Sequence, residues 1–126
     1  MGKRQKTRAE ISGRRAERWA SLCLRLKGYS IMATRVKTPF GEIDIIARKG
    51  RTLVFVEVKY RQNPKALPAS LTPKAQNRIT KAATYYVSRN TRFQSLVQRF
   101  DLVLMSPRGI FSYGNIQHMR DAWRPY

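Results

Sequence analysis

Negative charge is what this chain has least of. Seven Asp and Glu stand against 26 Lys and Arg in 126 residues, a formal charge of +19. A small domain so charged repels itself until phosphates or counterions neutralise it, so a polyanionic partner is expected, nucleic acid before others. Cysteine and histidine are scarcer still. Cys23 and His118 stand alone, which excludes an internal disulfide and a structural Cys/His zinc cluster. No run approaches the roughly 20 apolar residues of a membrane span. The basic residues are spread along the chain and not gathered on one amphipathic segment, so a membrane surface is not the expected partner. The basic stretch after Met1 is not followed by an apolar core, no signal peptide is readable, and a reducing cytoplasm is the expected location. The 42% of apolar residues suffices for one domain with one modest core.

Residues 1–8, with Lys3, Arg4, Lys6 and Arg8, read as a basic flexible arm, 9–118 as a single domain, and 119–126 as a short tail. A first helix is expected from about residue 9 to Lys27. Trp19, Leu22, Cys23 and Leu26 give it a buried face and Gly28 a stop. Thr7 with Glu10 forms one candidate cap and Ser12 another, which explains Glu10 but leaves Glu17 without a bland reason. Strands are expected over 29–36, 41–48, 52–60, 100–105 and 110–117. A second helix is expected after Thr72-Pro73, hydroxyl cap then proline, with Ala75, Ile79, Ala82, Ala83 and Tyr86 buried. Lys74, Arg78 and Lys81 then fall on its other face, either as an ordinary solvated surface or as a ridge tracking phosphates, with Gln76 and Arg61 as further nucleic-acid contacts.

Where the rare acids lie is the informative point. Glu42, Asp44 and Glu57 sit in the apolar runs 41–47 and 54–59, beside Lys59, where charge is expensive. Gly50-Arg51 suits a two-residue type II′ turn between Lys49 and Thr52, which sets Asp44 opposite Glu57 and Glu42 opposite Lys59. Strict alternation then places Glu42, Asp44, Phe55, Glu57 and Lys59 on one face, and Ile43, Ile45, Val54, Val56 and Val58 on the other. Convergent carboxylates raise one another's pKa unless a cation lies between them, and a hard divalent ion such as Mg²⁺ or Mn²⁺ suits an all-oxygen set. The ordinary alternative is a solvent-facing sheet with cross-strand ion pairs.

Asp44 followed by Glu57-Val58-Lys59 after a hairpin resembles the PD-(D/E)xK signature of restriction-endonuclease-like nucleases. Gly13-(x)3-Glu17-(x)2-Ala20, Gly28-Tyr29, Gly41-Glu42-Ile43-Asp44, Phe55 to Lys59, Lys74-Ala75-Gln76 and Arg99-Phe100-Asp101 more closely resemble the bacterial YraN family, itself similar to archaeal Holliday junction resolvases. The resemblance implies an α/β fold with an αβββαβ core and a mixed central sheet flanked by helices. It implies a metal held by Asp44, Glu57, the Val58 carbonyl and Glu17, with Lys59 orienting water, and Glu42 as a supporting partner of Lys59. Departures fall at Arg35, where asparagine is usual, and at Lys37, where arginine is frequent. Asp101 at the start of a late strand is expected to make structural hydrogen bonds, and Trp19, Tyr85 and Tyr86 to belong to the core or its edge. The expected function is a metal-dependent endonuclease cutting DNA phosphodiesters, with branched or damaged DNA as the substrate class that the resemblance suggests and a homodimer by analogy. The alternatives are a nucleic-acid-binding module that keeps the fold without turnover, and a ribosome-associated basic protein.

Overall fold

A computed structural model describes residues 8–60, 71–106 and 115–125, with side chains throughout except at 8–13 and 115. The elements are α1 (Arg8–Leu26), β1 (Ser30–Thr38), β2 (Gly41–Lys49), β3 (Thr52–Tyr60), α2 (Pro73–Arg89), a 3-10 turn (Thr91–Phe93), β4 (Val97–Ser106) and β5 (Asn115–Trp123). The arm before Arg8, Arg61 and most of the expected 61–71 loop lie outside the described residues.

The five strands form one sheet in sequence order, antiparallel except between β3 and β4. A parallel step needs a crossover, and α2 lies in it. The two helices cover opposite faces. Ala16, Ala20 and Leu24 of α1 pack on Ile45, Ala47, Val54, Val56, Val103 and Met105. Ile79, Ala82, Ala83 and Val87 of α2 pack on Ile43, Ile46, Leu53, Phe55 and Phe100. Burial on both sides explains why β3 and β4 read as near-continuous apolar runs. Aromatic rings fill the α2 side: Phe100 lies between Phe55 at 5.5 Å and Trp123 at 5.0 Å, centroid to centroid.

Local signals in the chain account for the element ends. Gly28 adopts φ +92, its N–H donating to the Arg25 carbonyl and that of Tyr29 to the Leu24 carbonyl, a Schellman stop sealed by Leu24 and Tyr29 in one cluster. Thr72 caps α2 by accepting from the Ala75 N–H at 3.1 Å. Lys49 pairs with Thr52 across Gly50-Arg51, Gly50 at φ +60 and Arg51 without a positive φ, the type II′ signature.

Three expectations are corrected. The buried stripe of α1 is Ala16, Ala20 and Leu24, while Trp19, Leu22 and Leu26 are exposed, Leu26 to 79%. The large apolar side chains misled because small alanines bring the helix close to the sheet. The last strand is described over Asn115–Trp123, so 119–123 are sheet and not tail, and Trp123 is buried, while residues 110–114 of the expected strand lie outside the described residues. An irregularity opposite Phe100 to Leu102, with Asp121 at φ +54, had broken its alternation. Finally, the hairpin has no single polar face. Ile43 packs toward α2 and Ile45 toward α1, so the alternation of β2 breaks at Asp44.

Candidate metal centre

The break at Asp44 is shared by the neighbouring strand. Thr34 pairs with Ile45 and Val36 with Ile43, so Arg35 faces Asp44, and Arg35 holds φ +51. On the other side the β2–β3 ladder runs only as far as Ile45 with Val56. Beyond it the Asp44 carboxylate takes the place of a backbone partner, its Oδ2 accepting from the Val58 N–H at 2.8 Å. A kinked strand thus delivers a carboxylate between two strands at the open end of the hairpin.

Glu17 comes to the same place from α1. Glu17, Glu42 and Asp44 each offer one carboxylate oxygen, all within 4.8 Å of one another. Glu57 is 8% exposed, and its Oε1 lies 3.1 Å from the Lys59 ammonium. Lys59 therefore pairs along its own strand with Glu57 and not, as expected, with Glu42. Glu17 has a partner too, Arg35 Nε at 2.6 Å. The carboxyl group of Asp44 is pushed from 3.8 up to about 7, by burial first, then by the charges of Glu57 and Glu17, against the stabilising Val58 N–H and Lys59. Three of the chain's seven acids thus converge and the charge of Glu57 acts on Asp44 beside them, while Arg35 and Lys59 neutralise only part of the total. An all-carboxylate oxygen set under mutual repulsion fits a hard divalent cation.

The residues expected to meet nucleic acid, so far as they are described, all lie on α2. Lys74, Arg78 and Lys81 are exposed on α2, on the face of the sheet away from α1, and Gln76 donates to the Leu71 carbonyl at 3.2 Å. Asp101 is fully buried, 0% exposed, and saturated: Arg99 donates from Nε and Nη2 at 2.8 Å each, His118 Nε2 at 2.7 Å and the Asp121 N–H at 3.0 Å. The ammonium of Lys27, a donor only, lies 3.1 Å from His118 Nδ1, so that nitrogen accepts and Nε2 carries the proton toward Asp101. Burial would raise the Asp101 carboxyl, but its bonds to His118, Arg99 and the Asp121 N–H outweigh it and hold it at about 2.

Sequence reasoning missed Arg35 as a site residue. Its signal was present as the departure from asparagine, a residue that tolerates positive φ more easily.

An αβββαβ order around a mixed sheet, with Asp44 and Glu57-Val58-Lys59 on adjacent strands, is the arrangement of restriction-endonuclease-like proteins. Residues 16–105 match the uncharacterised protein family UPF0102, the YraN family, and the chain belongs to it. Relatives bearing the name UPF0102 protein include one from Parvibaculum lavamentivorans, 47% identical over 90% of this chain and 81% of its own length. Another, from Sphingopyxis alaskensis, is 38% identical over 93% of this chain and 96% of its own. A third, from Brucella canis, is 44% identical over 83% and 84%.

Proposed function

We propose that this protein is a divalent-metal-dependent endonuclease acting on DNA phosphodiesters. The observation that carries the reading is the convergence of Glu17, Glu42 and Asp44, joined by Glu57 acting on Asp44, in a chain with only three other acids. Asp44, Glu57, Glu17 and the Val58 carbonyl would hold the cation. A bound Mg²⁺ or Mn²⁺ would supply Lewis-acid charge and a water more acidic than bulk water. The chain's own residues do the rest. Lys59, whose ammonium lies 3.1 Å from Glu57 Oε1, would orient the attacking water and offset charge growing on the phosphate. The Val58 N–H fixes Asp44 in place, and Glu42 adds negative charge beside Glu17. Branched or damaged DNA is the substrate class proposed, and a homodimer the assembly.

The test is a cleavage panel of linear, nicked and four-way DNA with Mg²⁺ and Mn²⁺, run beside Glu57→Ala. Cleavage by the native chain and none by the variant is expected; uncut DNA throughout, with metal binding unaffected by Asp44→Asn, ends the enzyme reading.

One observation favours a second reading. Glu17 is already neutralised by Arg35, a residue in place of the family's asparagine, as suits a module that binds nucleic acid without cutting it. Arg35→Asn separates the two: if it confers cleavage that the native chain lacks, the native chain is the binding module.

A further inference from the structure

A groove of about 450 Å³ lies between α1 and β1, with Glu17 of the carboxylate cluster in its lining. Arg14, Arg18 and Arg25 line it from α1 and Arg35 from β1, and Glu17 is its one acidic residue. The three helical arginines recur at i, i+4 and i+11, one stripe of the helix, separate from the buried Ala16, Ala20 and Leu24. Among the described residues none of the three pairs with a carboxylate, and the charge of Glu17 is already taken by Arg35. The stripe spans about 16 Å at 1.5 Å per residue. Over that length one strand of B-form DNA carries about five phosphates at 3.4 Å each.

Like charges collected in a concave surface are costly without a polyanion to neutralise them, and the guanidinium fork suits phosphate oxygens. The other basic clusters have different occupations. Lys27 donates to His118, and Lys49 caps α1 by donating to the Lys27 carbonyl at 2.8 Å. Lys74 and Lys81 stand exposed on α2, across the sheet from the helix that supplies Glu17, and the Arg78 side chain lies over Gly41 at the start of β2.

We propose that the α1–β1 groove holds the sugar–phosphate backbone of a DNA strand and leads it to the carboxylate cluster, and that the α2 ridge does not. For the end point of that path the inference rests on the nuclease reading; binding itself needs no metal.

Two variants of equal charge change are compared by fluorescence anisotropy in EDTA on a labelled single-stranded DNA: Arg14→Ala/Arg18→Ala/Arg25→Ala and Lys74→Ala/Arg78→Ala/Lys81→Ala. The groove variant is expected to bind about ten-fold more weakly near physiological salt and to lose about 2 from the slope of log K against log salt, at about 0.7 per phosphate contact. The α2 variant should stay within about three-fold of the native chain. Replacing the three arginines by lysine should restore most of the slope, with circular dichroism verifying the fold of each protein. Equal losses in the two variants, a larger loss on α2, or no measurable DNA binding overturns the proposal. So does tighter binding of RNA of the same sequence, or binding to anionic phospholipid vesicles alone. Because the assay contains no metal, a failed cleavage panel leaves it standing, and a failed groove leaves cleavage to be judged separately.

Discussion

Asp44 is the residue whose ionisation opposes folding. Its carboxyl is raised from 3.8 to about 7, by burial and then by Glu57 and Glu17, so between those values the folded chain binds more protons than the unfolded one. Stability tied to Asp44 is fully present below pH 3.8 and is lost as pH rises through about 7. Asp44→Asn, which keeps an acceptor for the Val58 N–H, should therefore flatten this decline in metal-free protein. We expect the variant to melt higher at pH 8 by about 8 °C, for roughly 2 kcal/mol of relieved desolvation and repulsion, with little gain near pH 5. Calorimetry in EDTA across that range checks it; parallel pH profiles would show that the carboxylate is not under strain. Excess Mg²⁺ should raise the native melting temperature and leave the variant nearly unmoved. Asp101 behaves in the opposite sense. Held at about 2, it contributes stability present above 3.8 and lost as pH falls through 2. Asp101→Asn leaves the Arg99 guanidinium without its counter-charge and His118 with a weaker acceptor, and should cost about 3–5 kcal/mol in urea unfolding at pH 7. The two acids differed in legibility for a physical reason. That Asp44 and Glu57-Val58-Lys59 lie on neighbouring strands follows from the Gly50-Arg51 turn, which is local and readable, whereas the break that turns Asp44 toward the Val58 N–H is not. The pairing of Asp101 with His118 depends on β5, whose alternation is broken, and the ion pair of Glu17 with Arg35 depends on a left-handed residue inside a strand.

Elements were legible where short-range chemistry dictates them and obscured where packing does. Gly28, Thr72-Pro73 and Gly50-Arg51 stop, start and turn the chain as their residue types require. The face of α1 was not readable, because its Trp and Leu stripe is more hydrophobic than the alanines actually buried, and only the distance of helix from sheet decides between them. Two glycines test how much backbone conformation contributes to the site. A Cβ at Gly28 would meet Lys49 side-chain atoms at an ordinary 3.7–3.9 Å, so Gly28→Ala costs only its left-handed conformation, about 1 kcal/mol. At Gly41, φ is +142 and a Cβ would come within 2.9 Å of Arg78 Cδ. Gly41→Ala should cost more, about 1–3 kcal/mol. Since Gly41 begins the strand carrying Glu42 and Asp44, it should also weaken Mn²⁺ binding, while Gly28→Ala leaves it unchanged. Urea unfolding and metal titration of the two variants side by side decide this; equal effects would mean that the start of β2 does not position the carboxylates.

Across the whole molecule the charge of +19 sets a condition that no single contact shows. The sheet and its two helical layers bury enough apolar surface for a compact fold, yet the arginines and lysines are left mostly at the surface, where they repel at distances set by the ionic strength. The Debye length falls from about 30 Å at 0.01 M to about 8 Å at 0.15 M salt, so repulsion that spans the domain in dilute buffer is confined to near neighbours in the cell. Metal-free protein should accordingly gain melting temperature between these concentrations, with most of the gain complete by the upper one. A short DNA strand, added in dilute buffer, should produce a gain of the same sign at far lower concentration, because it binds the folded array of charges more tightly than the unfolded chain. Calorimetry with sodium chloride and with DNA in EDTA measures both. If salt leaves the transition in place while DNA raises it, the stabilisation is local to a binding surface. If salt raises it and DNA does not, the charge is a property of the fold alone and the expectation of a polyanionic partner fails.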